Sequence, residues 1–488
     1  MENLIKKQNQ GITLIALVIT VIVMLIISAV AITAITDPEG IFRQAREAGE
    51  NYNTASQNEA DVLGDLTNNE WFLPKTDGSF DASLGINTPN TSKLPKETTK
   101  YITWNENNGV YSEDVSDKQV KEWYDYTTGK WANIKTTSTD KSLEAYWVWI
   151  PRFAYRLPES STPKTIEVVF VKNTGTEGVN GEKCYYATDT SITAGGTGLY
   201  VDATEFAKGT EEGKEQAWIV HPAFTFGDKQ LSGIWVAKFE ASNNNEKVEV
   251  KPSVTAWDNI STVDIFRVCR EMQNTGMVIG TTTGTSTVDT HMIKNMEWGA
   301  VAVLSQSIYG YYENGVNKQV WNNPNSSEKT GYASSSENGQ DAATLEEGMC
   351  DSYNEGNGPK SSTTGNIYGV YDMAGGCFEY VAGVLQGAEN TKLGTTDTKY
   401  FDSYTNATQN ALDRTGGKIG DLTAELLPEN TNVTWNNDLA GFIRIETSSM
   451  HKGGGMGNGE NAGIFRYNYT NDESAAESHS FRPTLCIL

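Results

Sequence analysis

Thiols, imidazoles and carboxylates are the groups of this chain that could do chemistry, and their spacing decides which chemistry is open. Five cysteines stand at Cys184, Cys269, Cys350, Cys377 and Cys486. No two are close enough to form a C-x-x-C or half a zinc site, and an odd number fixes no disulfide framework. They read as small buried hydrophobes. The four histidines, His221, His291, His451 and His479, lie in four contexts without an i+4 partner or a nearby G-x-S-x-G. Nothing there specifies a hydrolase triad. His221 precedes Pro222 in HPAFTF and reads as a strand-end residue, while Glu211/Glu212 and Asp114/Asp117 read as solvated loops. No catalytic residue is assigned, and an enzyme is not expected.

Recognition is better served. Near the C terminus, Asn458, Glu460, Asn461, Arg466, Asn468, Tyr469, Asn471 and Asp472 combine donors, acceptors and an amphipathic ring. Tyrosine supplies contact area at low entropic cost. In AGIFRYNYTND, strand alternation sends Phe465 and Tyr467 to one face and Arg466 and Asn468 to the other. The expectation is a ligand face backed by a packed one.

Those side chains need a scaffold. The 488 residues carry a formal charge of −24, which argues against nucleic acid or anionic lipid as partners. Twelve tryptophans and 22 tyrosines can fill a large core, and 46 glycines imply many turns. Short aromatic and β-branched runs (YWVWIPRFAYRL at 146–157, IEVVFV at 166–171, IWVAKFEA at 234–241) alternate with Gly/Asn/Asp turns and a few short helical candidates. The pattern predicts an α+β class. Residues 71–100, rich in Pro, Thr, Ser, Asn and Lys, read as a linker.

The N-terminal segment has a different character. Lys6, Lys7 and Gly11 precede an uncharged apolar run from Ile12 to Thr36, long enough as a helix to cross roughly 30 Å of hydrocarbon. After Asp37-Pro38 the apolar positions Ile41, Ala45, Ala48, Tyr52, Ala55, Val62 and Leu66 predict an amphipathic helix over 37–70. This order resembles the class III leader of type IV pilins and pseudopilins. The resemblance implies a leader over 1–11, prepilin-peptidase cleavage between Gly11 and Ile12, a transmembrane helix over 12–36 and other pilin-like subunits as partners. It further implies a single-pass protein of the cell membrane with an extracytoplasmic head, on the cell surface or a pilus. The glutamate usual five residues after the cut is Ala16 in this chain, which points away from a major filament subunit.

The large domain, residues 101–488 with core motifs over 140–488, carries GNIYGVYDMAGGCFEYV at 365–381. This stretch resembles the Gly-Leu-Tyr-Asp-Met-x-Gly-Asn-x-Trp-Glu-Trp motif of the formylglycine-generating enzyme or sulfatase-modifying-factor family, which has a C-type-lectin-like fold. KNMEWGAVAVL at 294–304, HKGGG at 451–455, AGIFRYN at 462–468 and SFRPTLCIL at 480–488 resemble further family segments, in the family's order. The residues themselves read as structural: Gly375 and Gly376 permit tight turns, and Arg482, just before Pro483, reads as a buried anchor with Glu379 as its candidate partner. Calcium is the cofactor the resemblance raises, through backbone carbonyls and the glutamate. The family's oxidases hold copper with two cysteines four residues apart, and this chain has none between Cys377 and Cys486, so that site cannot be built. The C-terminal stretch also resembles the variable ends of retroelement-diversified proteins, which use the same fold to present a ligand face.

Three functions are open on these residues. The first is an anchored display protein or adhesin whose head binds an extracellular protein or glycan. The second is a minor pilin or pseudopilin of a pilus or secretion machine. The third is an orphan enzyme of the formylglycine-related family.

Overall fold

The protein is described by a computed structural model, covering residues 19–23, 75–104, 111–112, 123–157, 165–188, 193–195, 198–202, 214–278, 281–282, 285–334, 350–385, 393, 396–405, 410, 417–423, 432–444 and 449–488. The chain divides into two units, residues 1–72 and 73–488. Of the first unit, residues 19–23 are described, and they are helical.

In the second unit, Thr99–Trp104 (β1), Tyr111–Ser112 (β2), Asn133–Thr137 (β3), Glu144–Pro151 (β4) and Gly233–Ala237 (β5) come first. Helix Thr262–Glu271 (α1), Val288–Met292 (β6) and helix Asn295–Ser305 (α2) follow. Phe378–Val381 (β7), Ser449–Gly453 (β8), Gly463–Thr470 (β9) and His479–Ser480 (β10) lead to the last strand, Pro483–Ile487 (β11). The large sheet runs β6-β11-β5-β4-β3-β1-β2 and is antiparallel throughout. The smaller C-terminal sheet runs β9-β8-β7-β10, with only β7 and β10 parallel.

The runs YWVWIP and GIWVA show no polar alternation because both faces of β4 and β5 are buried. Trp123, Trp131, Trp147, Trp149, Trp235 and Trp298 fill the core. Their indole N–H groups stay satisfied, for example Trp147 on Thr136 Oγ1 at 2.9 Å and Trp298 on the Ile464 carbonyl at 2.8 Å. Helix α1 starts where the Ser261 hydroxyl accepts the Asp264 N–H at 3.1 Å, and it turns Ile265, Val268 and Cys269 inward. Helix α2 is apolar on nearly every side because nearly every side is buried. Gly299 is required there, since a Cβ would fall 2.0 Å from the Gly420 carbonyl oxygen.

The linker-like composition of 71–100 conceals a structured segment over its described part, residues 75–100. Asn87 is buried and donates to the carbonyls of Val171 (3.0 Å), Asn173 (2.8 Å) and Ser232 (3.0 Å). Trp235 Nε1 donates to the Asn90 carbonyl at 2.7 Å. Amides and hydroxyls that read as solvated spacer satisfy the backbone of the core instead.

Several expectations are corrected here. The described structure is mostly short β-strands with few helices, so α+β with a long N-terminal helix does not describe it. No helix among the described residues is long and apolar enough to cross a membrane. The α-helices α1 and α2, of 10 and 11 residues, span only about 15–17 Å each at 1.5 Å per residue. The transmembrane helix, the pilin-like architecture and the single-pass location are corrected with it. Gly11, Ile12, most of 12–36 and all of 37–70 lie outside the described residues.

The two sheets are joined by a buried ion pair. Arg482, just before β11, donates Nε to Glu379 Oε2 of β7 at 2.7 Å and its NH2 group to Glu379 Oε1. The remaining donors reach the carbonyls of Ala237 at the end of β5 (3.1 Å) and Tyr371 (2.9 Å). Gly375 and Gly376, both at positive φ, turn the chain into β7, and a Cβ on Gly375 would fall 1.7 Å from Asn322 Oδ1. Removing one partner of such a pair leaves a buried charge uncompensated. Glu379→Ala is therefore expected to cost about 3–5 kcal/mol, whereas the double replacement Glu379→Leu with Arg482→Met costs less than the single. Urea denaturation of the three chains tests this, and equal or additive losses would contradict it.

Candidate ligand-binding face

Register within the C-terminal sheet sorts its side chains. Tyr380, His451 and Asn468 are cross-strand neighbours on one face, while Glu379, Lys452 and Tyr467 are neighbours on the other. The second face is the core side. Phe465 and Tyr467 are buried there, and the Tyr467 hydroxyl donates to the Thr423 carbonyl at 3.2 Å.

On the first face, side chains gather around the ring of Phe378. His479 stacks on it at 4.8 Å between centroids, His451 meets it edge-on at 4.9 Å, and the Arg466 guanidinium lies 5.3 Å from its centre. His451 and His479 are 5.1 Å apart, and Tyr380 packs 5.0 Å from His479. The glycine turn after β8 permits this crowding. A Cβ on Gly454 would fall 2.7 Å from Arg466 Cδ, and one on Gly455 would fall 3.1 Å from the Phe378 ring.

Beside this cluster two turns meet. In the turn 456–461, Asn458 Oδ1 accepts the Gly455 N–H at 2.8 Å. The Asn461 carbonyl accepts both Leu439 N–H at 3.2 Å and an Arg466 terminal N–H at 2.8 Å. The loop 434–438 places Asn436 and Asn437 consecutively in the left-handed region, at φ 65° and 67°, a conformation asparagine tolerates better than most residues. Trp435, half-buried, packs edge-on against Phe465 at 5.8 Å. The rim formed by Trp435, Asn436, Asn437, Asn458 and Asn461 is thus pinned to the core from beneath.

The sequence-derived set divides accordingly. Asn458, Asn461 and Arg466 come together, but Arg466 is buried at 4 % exposure rather than displayed. Asn468 is half-buried and accepts the Tyr469 N–H at 2.9 Å. Tyr469 follows the opposite face, its ring 5.3 Å from the Arg444 guanidinium. Asn471 and Asp472 are exposed at the far end of β9, where Asp472 accepts the Ser474 N–H at 3.0 Å. The Glu460 side chain lies outside the described residues. Phe378, His451, His479 and the 435–437 loop were not in that set. The parallel pairing of Phe378 with His479 and the antiparallel pairing of Tyr380 with His451 bring the rings together, and no local pattern announces either.

Two other clusters are saturated. Calcium does not fit at Glu379, because both its oxygens are taken by Arg482. His291, Glu297 and Cys486 lie close together, but each imidazole nitrogen already faces a carboxylate, Asp289 at 3.0 Å and Glu297 at 2.9 Å. Burial alone would lower the His291 pKa, yet the two carboxylates outweigh it and raise it. An imidazole held between two carboxylates, with Lys294 3.7 Å from Glu297, belongs to a structural charge network and makes a poor metal ligand.

No family model matches this chain, including any for the two families that its motifs resemble, and no curated protein matches it. Among solved structures it is aligned with Treponema denticola variable protein 1 at 11% identity, covering 54% of this chain and 98% of that one, with a TM-score of 0.14. A score that low does not equate the folds.

The histidines make stability depend on pH. His221 packs among Phe153, Tyr155 and Phe224, and burial pushes its pKa down to about 3. Burial also lowers His451 and His479. Their unfolded forms take up protons below about pH 6.5 while the folded forms do not, so stability falls as pH drops from there. His291, raised when folded, adds no slope below that point. Urea midpoints between pH 6.5 and 5 should fall, and His221→Gln should remove a share worth about 1.4 kcal/mol per pH unit. A flat profile would contradict the assignment.

Proposed function

We propose that this chain is a non-catalytic binding module whose β-rich domain presents a protein or glycan ligand site on the outer face and rim of its C-terminal sheet. The observation that carries the reading is the rim itself. Trp435, Asn437 and Asn461 reach solvent at least in part, while the backbone beneath them is held by Asp438 on the Phe465 N–H at 3.0 Å and by Trp298 on the Ile464 carbonyl. An amphipathic ring and primary amides on a rigid support suit recognition, because little ordering entropy remains to be lost on binding.

A non-catalytic role is supported by the thiols. Cys377 and Cys486 are buried, and burial raises both well above the ordinary thiol range. Such groups are poor nucleophiles and poor metal ligands.

The test uses two rim substitutions that spare the core. Asn437→Gly removes an amide at a left-handed position that glycine accepts, and Asn461→Ala leaves the carbonyl that bonds Arg466 and Leu439. On glycan and protein arrays the unmodified chain should bind a defined set, and the double variant should lose about tenfold or more, as expected when about 1.4 kcal/mol is removed. Its melting temperature should stay within about 2 °C of the unmodified chain, since roughly 1 kcal/mol shifts a domain larger than about 250 residues by no more than that. Tyr467→Phe, which deletes a buried hydrogen bond, should do the reverse. Retention of binding by the rim variant, or no binding by the unmodified chain, contradicts the proposal.

A further inference from the structure

Three arginines of the described domain are buried, and Arg466 differs from the other two. Arg152 donates to the carbonyls of Gly175, Phe224 and Leu231 and to Gln230 Oε1. Arg482 holds the Glu379 carboxylate. Arg466 makes a single hydrogen bond, to the Asn461 carbonyl, and among the described residues its Nε has no partner and it forms no ion pair. Among the described residues, the opposite charge that acts on it is Asp438, whose Oδ2 is engaged by the Phe465 N–H. Burial costs a charge most where hydrogen bonds and a counter-ion are missing.

The neighbouring imidazole is in the same condition. His451 is 4 % exposed, and its buried Nδ1 makes no well-formed hydrogen bond, although the Tyr469 backbone lies near enough to the ring to favour its proton. His479 uses Nδ1 on the Glu477 carbonyl at 2.9 Å and is half-buried, as is Phe378. These two are the parts of the cluster that water reaches. Unpaired donor capacity from β8 and β9, and a third ring from β10, therefore surround one aromatic ring within a chain whose net charge is strongly negative.

We infer that the ligand carries an anionic group, a carboxylate or a sulfate, which seats among Arg466, His451 and His479 against the Phe378 ring. This rests on the binding reading above and specifies the chemistry of one part of that face. A planar guanidinium with a free Nε–H suits an oxyanion, and an imidazole that gains a proton adds a second charge-assisted donor. A cationic ligand or a metal ion would meet Arg466 and is disfavoured.

Proton linkage follows from the surroundings. Burial lowers the pKa of both imidazoles, and for His451 the charges of His479 and Arg466 lower it further. The other titratable groups near them are Tyr380 on β7, Asp472 beside Tyr380, and Asp258 and Glu328, which act on His479. None of these carboxylates is bonded to either ring. An arriving anion favours the protonated rings, so affinity should rise as pH falls.

The test follows the four histidines of the full chain by nitrogen-15 NMR of the imidazoles between pH 5 and 8. Sodium acetate and sodium sulfate are added in separate arms, with zinc chloride in a third. Sulfate or acetate should raise the titration midpoints of His451 and His479 by about one unit, a tenfold change in proton affinity, leave that of His291 in place, and leave the His221 signals unchanged throughout the range. The more effective anion identifies the group. Arg466→Met, which keeps a side chain on Phe378, and the less buried His479→Gln should each abolish the anion response of His451. Unchanged midpoints, an equal response in Arg466→Met, or a response to zinc alone would overturn the inference. Histidines silent to anions beside a rim variant that loses ligand would remove the anion and leave the binding face. An anion response beside an inert rim would do the opposite.

Discussion

Arg482 and Glu379 are the joint on which the rest of the large unit depends. The guanidinium touches β5 through the Ala237 carbonyl, the 371 turn through the Tyr371 carbonyl, and β7 through both oxygens of Glu379. One side chain therefore fixes the C-terminal sheet against the large sheet. The site has little room for error, because Glu240 and Asp372 are buried beside it. Burial, then the charges of Glu379 and Asp372, raise Glu240 well above the ordinary carboxylate range. The proton is therefore favoured on Glu240, whose Oε1 accepts the Cys377 N–H at 3.0 Å, and burial raises Glu379 too, to about 7, against the lowering by Arg482. A second ionised carboxylate would compete for the same guanidinium, so neutrality of Glu240 lets the pair remain a pair.

From that joint the order of the C-terminal segment follows. Glu379 and Ser480 are register partners in the parallel pairing of β7 and β10, and Arg482 lies two residues beyond. Fixing Glu379 on Arg482 therefore also fixes where Phe378 meets His479. Strand alternation then places Phe378, Tyr380 and His451 on one face of the sheet, and Met450, Tyr467 and Phe465 on the other. The buried ion pair acts as a register device for the face that carries the exposed rim.

Much of this was legible locally, and some was not. Runs such as GIWVA and YWVWIP announce buried strands through composition, and KNMEWGAVAVL announces a helix. Arg482 beside a proline, with Glu379 in a turn-rich motif, suggested an anchor because a buried cation needs a carboxylate. The packed fate of Phe465 and Tyr467 follows from alternation. The same alternation misled for Arg466, since it assigns a face but not its exposure, and the glycine turn at 453–455 folds back over that face. The described part of 71–100 misled for a related reason. Its Asn and Thr side chains look solvated by composition, but Asn87 and Asn90 spend their polar atoms on Val171, Ser232 and Trp235.

What local patterns cannot convey is unmet demand. A histidine or an arginine reads the same whether its donors are satisfied or idle, and only long-range pairing reveals which. His291, saturated between two carboxylates, and His451, with a bare nitrogen, differ in nothing that their flanking residues show. The fold accepts an unsatisfied Arg466 and His451 where a neutral packing residue would be less costly. Protein interiors satisfy nearly all buried polar groups, so two idle donors around one ring set this face apart from the saturated networks at Glu379 and His291.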